Sequence, residues 1–222
     1  MQQNNPIMSY HTSKKLPYGV SNFITIVEQN NYYVDKTMYI PMLEDEASNL
    51  FFIRPRRFGK SLFLGMLHAY YDCRTKDKFE QWFGKLWIGQ HPTPNQGRYQ
   101  VLHLDFSQVG GKIEKLEENF DFYLGINLDG FVRDYAEYYS EETRKKVYET
   151  TYAGGKLAII QNEARTKNYP LYLIIDEYDN FTNTVLNEQG EDVYWAITHA
   201  EGLYCDIFKK FKGSFDRIFI TG

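Results

Sequence analysis

Cysteine is scarce in this chain. Cys73 and Cys205 stand far apart, without the pair spacing of a metal site. A disulfide framework is excluded, since at most one bridge is available, and a reduced, cytoplasmic setting is the simpler expectation. Long apolar runs are also missing, and none reaches the length that spans a bilayer. The first residues, MQQNNPIMSYHTSKK, have no apolar core of signal-peptide length. Excess positive charge is absent too. With 25 Lys+Arg against 29 Asp+Glu the net charge is -4. Such a balance argues against coating nucleic acid or an anionic membrane, so direct nucleic-acid binding is not expected. There is no internal repeat, and the five histidines show no ligand-like spacing.

What is present suffices for one sizeable α/β domain or two small ones: 222 residues, 43% hydrophobic and 24% charged. Nineteen Tyr and 16 Phe point to an aromatic-rich core. Residues 1–15 are polar and expected to be flexible, and residues 16–222 are expected to form one domain. LPYGVSNF turns on Pro17 and Gly19. YYVDKT reads as extended, with Thr37 placed to cap a short helix over MYIPMLEDE. Strands are expected at 49–53, 101–107, 171–175 and 217–222. Leu62, Met66 and Tyr70 at i, i+4, i+8 predict a helix from Gly59 onward. Further helices are expected across most of 112–148, up to about Arg165, and over 193–211. Strands alternating with helices imply a mostly parallel sheet covered on both faces.

One stretch carries chemistry. RPRRFGKS (54–61) follows the apolar strand NLFFI and precedes the helical LFLGMLHAYY. Strand, tight loop and helix are the context of the phosphate-binding pattern G-x-x-x-x-G-K-[ST]. Gly59 lets the backbone approach closely, amides at the helix start point at phosphates, Lys60 reaches the β- and γ-phosphates, and Ser61 ligates Mg²⁺. Arg54 stands where the pattern has glycine, and Pro55 restricts it to extended conformations. A helix start with a solvated basic patch is the competing reading of RPRRFGKS, and Arg56 and Arg57 fit either.

Downstream, the apolar strand LYLII ends in Asp176-Glu177. An Asp there can hold Mg²⁺ and a Glu can orient and deprotonate the attacking water, provided both sit at the carboxyl end of a strand near the loop. Taken alone, acidic residues at a strand end mark an exposed turn equally well. Thr221, at the end of RIFITG, can contact the γ-phosphate or the water, or be satisfied locally. Asp105, ending VLHLD, reads better as a turn cap than as a site residue. His199 reads as structural, and Arg144 has only its residue type in favour of an arginine-finger role.

LPYGVSNF, YYVDKT, FFIRPRRFGKSLFLGML, VLHLDFS, LYLIIDEYDN and RIFITG together resemble the predicted AAA-type ATPases found in many bacteria, from about residue 16 to the end. Arg in the first loop position is itself that family's form. The resemblance implies an AAA/ASCE-like P-loop NTPase fold with sheet order 1-4-3-2, binding ATP and Mg²⁺. Its Walker A loop would comprise Arg54, Pro55, Arg56, Arg57, Phe58, Gly59, Lys60 and Ser61, with Leu62 following. Asp176 and Glu177 would form Walker B, with Ser61 and Asp176 on the metal and Glu177, Lys60 and Thr221 catalytic. Tyr33, Asp35 and Lys36 lie where related ATPases place part of the adenine pocket, Tyr33 being suited to stack on adenine; local packing explains them equally. Such proteins continue into a helical lid and often a restriction-endonuclease-like domain, so a C-terminally truncated chain is expected. ATP hydrolysis would drive or gate a fused or partner effector domain, with oligomers compatible. The alternative is a nucleotide-dependent switch without significant turnover, which does not require Glu177.

Overall fold

The computed structural model describes residues 14–55, 57–109, 115–178 and 203–222. Four strands form one parallel sheet: β1 (Asn49–Phe52), β2 (Gln100–Asp105), β3 (Leu171–Asp176) and β4 (Arg217–Thr221). Their order is β1-β4-β3-β2, the order expected. The RIFIT strand therefore lies inside the sheet, between the strand that leads into RPRRFGKS and the strand that ends in Asp176.

Period-two alternation decides what each strand residue touches. Leu102, Leu104, Leu171, Leu173, Ile175, Ile218 and Ile220 join one buried cluster; Val101, Tyr172, Ile174 and Phe219 join the other. All six residues of β3 are buried, as a strand covered on both faces must be. Helices α6 (Leu116–Asp134), α8 (Ala153–Thr166) and α9 (Leu203–Ser214) cover the first face. Helix α3 (Lys60–Tyr71) covers the second, backed by α1 (Phe23–Glu28), α2 (Tyr39–Asp45) and α4 (Phe79–Phe83). That second core is aromatic-rich, with Tyr71 5.1 Å from Tyr172, ring centre to ring centre, and Tyr70 5.6 Å from Phe83.

Several local expectations are refined. The helical stretch at 112–148 is divided, because Ser140 caps a new helix, α7 (Glu141–Glu149), by accepting from the Thr143 amide at 3.2 Å. Thr37 does not cap α2. Its hydroxyl donates to Asp35 Oδ1 at 2.7 Å and accepts from the Ile88 amide at 3.1 Å, which ties the YYVDKT segment to α5 (Trp87–Gln90). Asp105 is a cap, as expected, accepting from the Ser107 amide at 2.9 Å. The expected helix at 193–211 is present as α9 from Leu203; residues 193–202, His199 among them, and residues 1–13 lie outside the described residues.

Candidate functional site

The RPRRFGKS loop leaves β1 and enters α3. Arg54 keeps an ordinary negative φ, and its guanidinium donates to the Ile53 carbonyl at 3.0 Å while lying 4.8 Å above the Phe52 ring. The bend falls later, at Arg57 (φ 68°) and Gly59 (φ 77°). Glycine suits the second bend, because a side chain is strained at that φ. This is how arginine fits the first loop position: the turn that glycine usually makes there is made three and five residues on.

Gly59 is the N-cap of α3 and offers no side chain to the first-turn amides, so those donors and the helix dipole are available to an anion. Lys60 is buried, and its Nζ donates to the Arg54 carbonyl at 3.0 Å, closing the loop on itself. Ser61 is exposed on the same helix start. Phe58 is 61% exposed, Leu62 is half-buried, and Arg56 lies outside the described residues.

Across the sheet edge, Asp176 and Thr221 are both buried, and the Thr221 hydroxyl donates to Asp176 Oδ1 at 2.8 Å. Register explains the meeting: Thr221 pairs with Phe52 at the end of the loop's own strand, and Ile175 pairs with Ile220. The second oxygen of Asp176 makes no described hydrogen bond. Glu177 follows with φ 52°, its amide turned onto Asp176 Oδ1 at 2.9 Å. A non-glycine residue in the left-handed region stores strain of about 1 kcal/mol or more. Tyr178 then packs on Phe51 of β1, ring centres 6.0 Å apart.

Among the described residues, three cavities border the loop. One of about 490 Å³ is lined by Pro17, Val20, Ile26, Tyr32, Tyr33, Val34, Lys36, Arg57, Phe58, Gly59 and Leu62; it unites the YYVDKT segment with the loop. The Tyr33 ring packs edge-on to Phe23 at 5.4 Å, while Tyr32 is 54% exposed. Asp35 is committed to the fold: Oδ1 accepts from the Thr37 amide and hydroxyl, and Oδ2 from the Trp87 amide at 2.7 Å. A second cavity, about 340 Å³, lies on the loop's other flank and includes Lys36, Arg54 and Lys60. The third, about 440 Å³, is lined by Ser61, Gly65 and His68 of α3, by Asp72 just after it, and by His103 of β2.

The histidine pair was not legible in the sequence, although His68 and Asp72 have the i, i+4 spacing of a helix pair. His68 and His103 bring their Nδ1 atoms within 3.4 Å, and His68 Nε2 lies 3.2 Å from Asp72 Oδ2. Burial works to raise the Asp72 carboxyl, but donors from His68 and Arg74 outweigh it and hold the pKa at about 2. Burial, then His68, push His103 down to about 4, opposed by Asp176 and Asp105. The sign follows: the unfolded chain takes up a proton at His103 near pH 6.5 and the folded chain does not until about pH 4. Stability is therefore lost across that window as pH falls, by about 3 kcal/mol at its lower end. Asp72 acts further down, its contribution being full above about pH 4 and lost towards pH 2. A His103→Gln protein is expected to lack the upper loss, which melting temperatures from pH 7 to 4 against wild type would register; parallel curves would contradict it.

Fold and site define a parallel α/β protein whose glycine-bearing strand–loop–helix faces a buried Asp–Thr pair at the carboxyl edge of the sheet. A family model described as Predicted AAA-ATPase matches residues 17–222, and the chain belongs to that family. A curated relative, the uncharacterized protein in the vnfD 5′ region of Azotobacter chroococcum mcd 1, is 51% identical over 119 residues. That match covers 51% of this chain and 22% of the relative's length. No solved structure matches the chain. No helix among the described residues is long and apolar enough to cross a membrane.

Proposed function

We propose that this chain is a P-loop domain of the AAA type that binds ATP with Mg²⁺ and hydrolyses it, driving or gating a fused or partner effector domain in the cytoplasm. The observation that carries the reading is the 2.8 Å bond between Thr221 and Asp176 on neighbouring strands, in register with the strand that launches the GKS loop. A solvated basic patch would not need a buried carboxylate held by a buried threonine at the next strand ends.

The residues fit the proposed ligands. The α3 amides and Lys60 hold the β- and γ-phosphates, and the Lys60 ammonium exchanges the Arg54 carbonyl for phosphate oxygen. The apolar residues of the 490 Å³ cavity accept adenine, with Leu62, Tyr33 and the more exposed Tyr32 available to it. Asp35 holds the wall in place. Ser61 and the second oxygen of Asp176 would hold Mg²⁺, which would supply charge neutralisation across the phosphates. Thr221 fixes the Asp176 carboxylate and stands beside the reacting centre. Glu177 takes a proton from the attacking water.

Magnesium-dependent phosphate release from ATP by the wild-type chain, abolished by EDTA, is the expected result. ATP bound tightly but never hydrolysed would replace this reading with the nucleotide-dependent switch.

A further inference from the structure

Lys36 has no part in that scheme, yet it borders the loop on both sides. It is half-buried and lines both the 490 Å³ cavity and the 340 Å³ one. Its Nζ lies 4.0 Å from where a Cβ on Gly59 would stand. Among the described residues its ammonium has no hydrogen-bond or ion-pair partner. Asp35, the adjoining carboxylate, is taken by Thr37 and the Trp87 amide.

The backbone that carries Lys36 is pinned on each side. Asp35 is tied to α5, and Thr37 is fully buried and bonded to the Ile88 amide. The Lys36 carbonyl accepts from the Tyr39 amide at 3.2 Å. A half-buried cation on a rigid platform, lacking a counter-charge and standing over a glycine, is preorganised for an anion. The cavity sorts the possible contacts. Among its lining residues Pro17, Val20, Ile26 and Val34 are apolar and suit a base, whereas Lys36, Arg57 and the Gly59 backbone suit phosphate oxygen.

We infer that Lys36 is a second polyphosphate-binding cation, reaching the nucleotide beside Gly59 from the segment before β1. The inference rests on the reading of RPRRFGKS as a triphosphate loop. It assigns to YYVDKT a role in phosphate binding beyond walling the adenine pocket: Asp35 and Thr37 are the frame, and Lys36 is the contact.

Equilibrium binding of ATP, AMP, adenosine and inorganic tripolyphosphate to the wild-type chain, Lys36→Ala, Lys36→Arg and Lys60→Ala separates the possibilities. Lys36→Ala is expected to weaken ATP and tripolyphosphate about tenfold, the scale of one charge-assisted hydrogen bond. Adenosine should stay within about twofold, and Lys36→Arg should recover most of the loss. Equal weakening of ATP and adenosine would overturn the inference, because Lys36 would then shape the base pocket. Unchanged ATP binding in Lys36→Ala, with binding lost in Lys60→Ala, would overturn it and leave the ATPase reading standing. Failure of the wild-type chain to bind either ATP or tripolyphosphate would remove the triphosphate reading itself.

Discussion

Replacing Lys60 by alanine is expected to lower ATP affinity about 150-fold or more while leaving the melting temperature near that of wild type. The ammonium is buried and has one described partner, the Arg54 carbonyl. In the ligand-free chain that bond holds the loop closed around a desolvated charge, so its removal takes away a cost together with a contact. With triphosphate bound, the same ammonium would make charge-assisted bonds to phosphate oxygen. Two such bonds at about 1.5 kcal/mol each give about 3 kcal/mol, a factor of about 150. Calorimetric titration with ATP and a thermal melt on the same sample measure the two effects apart. A large fall in melting temperature would mean that Lys60 serves the fold; unchanged ATP affinity would remove the loop from the site.

Glu177→Gln is expected to reduce ATP turnover by about 10²–10⁴-fold, the usual contribution of a general base, with ATP affinity unchanged within a few-fold. Gln keeps the size and the backbone of Glu, so the left-handed φ of 52° and the amide bond to Asp176 persist. The capacity to take a proton is what is lost. Asp176→Asn should differ: it would weaken the proposed metal ligand and the bond accepted from Thr221, so its defect should respond to Mg²⁺ concentration while that of Glu177→Gln should not. Single-turnover phosphate release across a range of Mg²⁺ concentrations distinguishes the two. Wild-type turnover in Glu177→Gln would exclude it as the base and leave the strained backbone at that position without a catalytic reason.

The elements of this fold were legible because each rests on local pattern. LYLII has no polar residue in a strand-length run, and it is the strand buried on both faces. The α3 helix follows from the four-residue spacing of Leu62, Met66 and Tyr70, and the loop before it from Gly59-Lys60-Ser61. The division of 112–148 was hidden because Tyr and Glu occur in both helices, and only the Ser140 side chain marks the new start. The histidine pair was hidden for a different reason. His68 and His103 are 35 residues apart, and their approach depends on how α3 crosses β2. The sequence leaves Asp35 open between the adenine pocket and local packing; the partners that engage its oxygens include Trp87, 52 positions away, which local pattern does not show.

By itself the sequence determined the strand–loop–helix arrangement around RPRRFGKS, the acidic end of LYLIID, the alternation that makes a parallel sheet, and, through its likeness to a family, the order of the strands. Tertiary structure decided which side chains share a volume. Register sets Thr221 against Phe52 and within hydrogen-bonding distance of Asp176. Packing of the YYVDKT segment over the loop sets Lys36 beside Gly59. The bend at Arg57, a residue with no intrinsic preference for a left-handed φ, is likewise imposed by its surroundings. The reason is physical. Periodicity, capping and turn preference act within a few residues of chain, whereas a site is made by contacts between segments that only the closed core brings together.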